Sequence, residues 1–185
     1  MGSTFAALAA AITTFAATNI DDLVILTLFF ARRVLPRKIV AGQYLGFSAI
    51  VLVSLLAAWA VFAIPHRWIR FVGIFPLALG LKEMFRNRTE SVNARVQKNY
   101  SVVSIALITL SNGADNVGVY VPFFAVARIY IWLILATYAV LIAAWCFVGH
   151  LLGNHPPILR LVDRWGHRIT PLVFIGLGAY ILVFK

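Results

Sequence analysis

The sequence predicts an all-α polytopic membrane protein, with six transmembrane helices arranged as two inverted three-helix repeats. Three observations carry that expectation. First, 62% of the 185 residues are hydrophobic and 12% are charged, whereas a soluble domain is about 45–50% apolar and about 25% charged. Second, the apolar residues gather into six runs of membrane-crossing or near-crossing length. Third, lysines and arginines crowd the alternate connections between those runs.

The runs lie near residues 5–31, 39–64, 69–85, 101–127, 129–153 and 169–184. A crossing helix needs roughly 17–25 residues, so the third and sixth runs are marginal and the other four ample. Pro36 follows the first run, Pro65 the second and Pro156-Pro157 the fifth, marking the turns. Only Arg128 separates the fourth run from the fifth, which predicts a tight helical hairpin. Trp68, Trp132 and Trp165 stand near predicted ends, where an amphipathic ring suits the bilayer interface. Pro76, Pro122 and Pro171 fall in or near runs, where neighbouring helices can satisfy the backbone that a proline frees. Gly42/Gly46 and Gly149/Gly153 have the spacing that lets helices approach closely, a spacing common enough by chance to carry little weight.

Charge fixes the orientation. Arg32, Arg33, Arg37 and Lys38 follow the first run; Lys82, Arg86, Arg88, Arg95 and Lys98 follow the third; Arg160, Arg164 and Arg168 follow the fifth. That side holds twelve of the sixteen basic residues, and the other holds Arg67, Arg70, Arg128 and Lys185. The excess marks the cytoplasmic side and puts both termini outside a plasma (inner) membrane that the chain crosses repeatedly. The net charge of +10 is therefore an orientation signal, and no nucleic-acid partner is expected. Residues 1–17 contain no Lys or Arg and so lack the basic start of a cleavable signal. The single cysteine, Cys146, excludes an intrachain disulfide framework and a CxxC metal site.

The two halves resemble each other. Asp21-Asp22-Leu23 precedes Phe29-Phe30-Ala31, and Asp115-Asn116-Val117 precedes Phe123-Phe124-Ala125 at the same spacing, 94 residues later. Arg67-Trp68 matches Arg164-Trp165 more loosely, as Leu79-Gly80-Leu81 matches Ile175-Gly176-Leu177. One membrane domain, 1–185, thus divides into repeat one (1–85), a polar cytoplasmic linker (86–100) and repeat two (101–185). Three helices per repeat force the halves into opposite orientations, an architecture that in transporters puts the site near the midplane.

Of six acidic residues, Glu83, Glu90 and Asp163 lie at ends or in loops, whereas Asp21, Asp22 and Asp115 are deep in apolar sequence. An aspartate at a helix centre costs about 2.5–3.5 kcal/mol on insertion scales and marks function by default. Thr18-Asn19-Ile20-Asp21-Asp22 and Ser111-Asn112-Gly113-Ala114-Asp115-Asn116 are rich in residues that suit caps and breaks better than helix interiors. Both helices are therefore expected to break there, freeing carbonyls that join the side chains around a hard cation. The electropositive start of each half-helix opposes a cation, so the carboxylates must outweigh it. The competing readings make these residues caps, with Asn19 and Asn112 the candidates, or partners of an arginine. Asp21 and Asp22 point about 100° apart on a helix, so one aims at an ion while the other holds a proton or bonds to backbone. Cys146 is read as a packing residue, and His66, His150, His155 and His167, near predicted ends, as interfacial.

The segments Asn19-Ile20-Asp21-Asp22-Leu23, Ser111-Asn112-Gly113-Ala114-Asp115-Asn116 and Pro76-Leu77-Ala78-Leu79-Gly80-Leu81 resemble the cadmium-resistance (Cad) transporter family of the LysE superfamily, over nearly the whole chain. The resemblance implies export of a divalent heavy metal, typically Cd²⁺, from the cytoplasm. It makes Asn19, Asp21, Asp22, Asn112, Asp115 and Asn116 the motif residues. Cadmium favours thiolates, and one cysteine is a departure that leaves Mn²⁺ or Ca²⁺ in contention; the superfamily also exports amino acids.

No GxxxxGK[ST] motif occurs, so a gradient must drive transport, and proton antiport at a midplane aspartate is expected. No enzyme activity and no resident cofactor are expected. The partners are the metal ion, the proton and the lipid bilayer, with a second copy of the chain as a candidate. The rival readings are export of Mn²⁺, an amino acid or an organic cation; a passive cation channel; and an intramembrane aspartyl protease with Asp22 and Asp115 as its dyad. The protease reading lacks the G-x-G-D signature, since the sequence there is Gly113-Ala114-Asp115.

Overall fold

An alanine-rich opening run forms α1 (Gly2–Thr18), and the run continues past Asn19 as α2 (Ile20–Ala31). The computed structural model describes residues 2–62 and 100–153, with positions 74, 77, 78, 81, 84, 172, 175, 176 and 179–183. All regular structure among the described residues is helical. Helix α2 stops at a Schellman-type cap: the amides of Arg33 and Val34 reach back to the carbonyls of Phe30 and Phe29, and Arg33 takes the left-handed φ of 57° that closes such a turn. Pro36 then opens α3 (Pro36–Phe62), at the first helical position, where a missing N–H costs nothing.

The second half repeats this order. Ser101 caps α4 (Val102–Asn112) by accepting from the Ser104 amide at 3.0 Å. After a break at residues 113–115 comes α5 (Asn116–Val126), which runs through the buried Pro122. A single 3₁₀ turn, Arg128–Tyr130, joins it to α6 (Ile131–Gly153). The connection at Arg128 is as short as the sequence predicts, but α5 packs on α3 and α6 on α1 and α2, so the two do not pair as the tight hairpin expected there. In both halves a broken helix leads into a long one.

Both breaks fall where the Asn/Asp/Gly clusters place them. The axis turns by 58° between α1 and α2 and by 75° between α4 and α5. Helices α3 and α6 are each long and apolar enough to cross a membrane, and each bent pair qualifies if taken as one broken span. The described residues thus supply two to four candidate spans. The third and sixth predicted runs, the linker 86–100 apart from Tyr100, His66, His155, His167, Trp68, Trp165, Pro76 and Pro171 lie outside the described residues or keep only the scattered helical positions given above.

The halves interlock. Helix α3 packs along α4 and α5, and α6 packs along α1 and α2, while contact between α2 and α3 is slight. Both glycine pairs mark the seams. A Cβ added to Gly42 would lie 2.6 Å from Ile105 Cβ, and one on Gly46 would lie 2.6 Å from Ala106 O. On the other side, Gly149 meets Leu26 and Gly153 meets Phe30, each at 2.9 Å from a virtual Cβ. Residue numbers rise together along each seam, so α3 runs parallel to α4 and α6 runs parallel to α2. Bare glycines allow this approach, which gives dispersion contacts to helices that gain little from leaving lipid.

Aromatic rings fill the space between the halves. Phe15 lies 5.3 Å from both Phe47, at a tilt, and Trp145, edge to face, and Tyr120 lies 5.3 Å from Tyr138. The outer faces are apolar as well: Leu52, Leu56 and Trp59 on α3 and Trp132, Val140 and Phe147 on α6 are exposed. So large an apolar surface suits lipid, not water, as its solvent. The chain is a membrane protein.

Candidate functional site

The site residues are positioned by the first break. Thr18 ends α1, and its hydroxyl reaches its own i−4 carbonyl, Thr14 O, at 2.9 Å and the Tyr120 hydroxyl of α5 at 2.7 Å, a pair in which either oxygen can donate. Asn19 fills the gap between the helices. Its Nδ2 reaches Phe15 O, Thr18 Oγ1 and Tyr120 Oη, each at 2.8 Å. Its carbonyl accepts from Trp145 Nε1 of α6 at 2.8 Å and from the Leu23 amide at 3.1 Å. Asn19 occupies the N-cap position of α2 but makes no side-chain cap bond. Its amide is spent on binding α1 to α5.

Asp21 and Asp22 open α2, where the helix dipole favours negative charge. They are separated by environment. Asp21 is half-buried and Asp22 is buried. Asp22 Oδ2 accepts a hydrogen bond from Gln43 Nε2 of α3, and Gln43 Oε1 accepts from Thr109 Oγ1 of α4 at 2.8 Å. Gln43 and Thr109 are each 2% exposed. Asp22 Oδ1 has no hydrogen-bond partner among the described residues. A buried carboxylate oxygen left open is costly, and a cation or a proton removes that cost. This atom is the strongest mark of a site in the described structure.

The second half reaches the first break: Tyr120 Oη of α5 lies 2.7 Å from Thr18 Oγ1 and 2.8 Å from Asn19 Nδ2. Cys146 is buried in the core. The second break contributes less. Asn116 is buried, Asn112 is half-buried and Asp115 is exposed. Backbone turns close this break: Gly113 N to Thr109 O at 2.9 Å, Asn116 N to Gly113 O at 3.1 Å, and Gly118 N to Asp115 O at 3.1 Å. Asp115 stands at the N-cap of α5 without a side-chain cap bond, and the C-cap of α4 is Gly113, one residue past Asn112.

Of the six predicted residues, the structure thus buries Asn19, Asp22 and Asn116. Among the described residues no three His, Cys, Asp or Glu side chains converge to hold a metal. The side chain that meets Asp22 is instead the Gln43 carboxamide, through its Nε2. Gln43, Thr109 and Tyr120 are what the sequence reading missed. A glutamine in the second apolar run, between the paired glycines Gly42 and Gly46, was the available signal.

Compared with known proteins, residues 15–185 match the family model described as cadmium resistance transporter. No curated protein and no solved structure matches the chain.

Proposed function

The chain belongs to the cadmium resistance transporter family, and on that premise we propose that it is a secondary transporter that exports a divalent metal cation from the cytoplasm in exchange for protons. The observation that carries this reading is Asp22: a buried carboxylate at a helix break, one oxygen held by Gln43 and the other open. The cation binds Asp22, with Asp21, Asn19 and nearby carbonyls completing its oxygen shell. Asn112, Asp115 and Asn116 of the second break join them on the path or in the alternate state. Protonation of Asp22 from the outer side neutralises the ligand and releases the ion there.

Six spans in two inverted repeats, crossing the inner membrane with both termini outside, suit this mechanism. The parallel seam between α3 and α4 supports that topology. Helix α3 ends at Phe62, yet the chain returns to the start of α3, where Lys38 Nζ donates to Tyr100 O at 3.4 Å. An odd number of crossings between residues 62 and 100 meets that requirement, and the predicted run 69–85 supplies one.

Mn²⁺ is the second reading for the cargo. The predicted site residues are all aspartates and asparagines, and Cys146 is the only thiol in the sequence, a set that suits a harder ion. The test is metal accumulation in cells with and without the protein, over Cd²⁺, Zn²⁺, Mn²⁺ and Ca²⁺. Expression is expected to lower the content of one metal, Cd²⁺ first, and collapse of the proton gradient to abolish the effect. No change in any metal would overturn the export reading. Export that survives the collapse would overturn proton exchange.

A further inference from the structure

The chain of bonds Thr109–Gln43–Asp22 has a property that none of its members has alone. A carboxamide has a donor end and an acceptor end. Here the donor end faces Asp22 and the acceptor end faces the Thr109 hydroxyl. That polarity follows from charge, because a bare carboxylate accepts only and so selects the N–H end. A cation on Asp22 reverses the preference, since it seeks oxygen. The Thr109 hydroxyl tolerates either end, being a donor to Oε1 in one arrangement and an acceptor from Nε2 in the other. Both ends of the amide therefore stay bonded in two discrete arrangements.

We propose that Gln43 is a switchable ligand-controlling residue of the cation site, its amide turning from Nε2 toward Asp22 to Oε1 toward a cation bound there, with Thr109 as the pivot partner. This inference rests on the reading of Asp22 as a cation ligand. The relay spans three helices, from α2 through α3 to α4, and crosses between the two repeats. Occupancy of Asp22 in repeat one thereby sets the hydrogen-bond polarity at Thr109 in repeat two, one turn before the second break. Such a two-state element, biased from both ends, is what coupling between distant parts of a protein requires.

The test measures initial metal flux against metal concentration in liposomes containing the full chain, for the metal that the native protein exports. Four variants are compared: Gln43→Leu, Gln43→Glu, Thr109→Val and Thr109→Ser. Loss of one oxygen ligand should raise KM about tenfold in Gln43→Leu, with kcat changed less than KM. Gln43→Glu, which keeps an oxygen for the ion, should hold KM within about threefold of native, and Thr109→Ser, which keeps the hydroxyl, within about twofold. Thr109→Val, similar in shape but without a hydroxyl, should raise KM about fivefold or more.

A role in packing alone gives a different pattern: Gln43→Glu, which sets a second charge beside Asp22, would then be the most damaged variant, and Thr109→Val would match Thr109→Ser. That pattern, or native KM in Gln43→Leu, overturns the proposal. If Gln43→Leu does not reach the membrane, the Gln43→Glu and Thr109 comparisons decide it. Absence of flux in the native chain would instead strike the export reading itself.

Discussion

The two helix breaks carry matching sequence but differ in bend and in the group that each one buries. At the first, a bend of 58° leaves Asn19 and Asp22 buried and ties them to α3, α5 and α6 through Gln43, Tyr120 and Trp145. At the second, a bend of 75° leaves Asp115 exposed, and local backbone turns close it. In the 94-residue register Asp22 corresponds to Asn116, so the buried position holds a carboxylate at the first break and an amide at the second. Sequence symmetry fixes where the chain bends. The partners brought in from other helices fix what the bend does. On the proposed account the first break holds the cation and the second gives access or movement.

The largest expected effect separates the two acids. Asp22→Asn should lower kcat/KM for metal flux in liposomes by about 100-fold or more, the loss of a charged ligand that works through a buried site. Asp115→Asn should lower it by about tenfold at most. Equal losses would erase the functional difference between the breaks and return the site to both.

Glycine substitutions sharpen the contrast in packing. A methyl group on Gly46 meets the backbone oxygen of Ala106 at 2.6 Å and Thr109 Cβ at 2.7 Å, neither of which can swing aside. Gly46→Ala should cost about 2–3 kcal/mol, within the range for overpacked contacts, read from denaturant unfolding in detergent. At the second break, a methyl on Gly113 meets the flexible end of Ile50 at 2.5 Å, and Gly113→Ala should cost under about 1 kcal/mol. The smallest expected effect is on the brace. Tyr120→Phe removes the hydroxyl shared by Thr18 and Asn19 and should cost about 1–2 kcal/mol. Native stability in Tyr120→Phe would show that the first break has no special bracing.

Much of this frame was legible in the sequence, because helix length, apolarity and break-prone residues are local properties. The runs 39–64 and 129–153 became α3 and α6 within a few residues of their predicted ends, and the clusters at Asn19 and Asn112 became the two breaks. Long-range pairing was not legible. Gln43 and Thr109 stand 66 residues apart, and nothing local in either marks them as partners of each other or of Asp22. The glycine pairs had the right spacing, yet only the fold shows that Gly46 lies against Thr109 and Gly149 against Leu26. The separation of Asp21 from Asp22 was foreseen from helix geometry, whereas the exposure of Asp115 depends on how the second half packs.

Equilibrium binding of Cd²⁺ to the purified full-length chain, with Mn²⁺ in parallel, tests the central claim most directly. The account predicts that the native protein binds one of these ions, that Asp22→Asn loses the binding, and that Asp115→Asn keeps it within about tenfold. Undiminished binding in Asp22→Asn would contradict the assignment of the first break as the cation site.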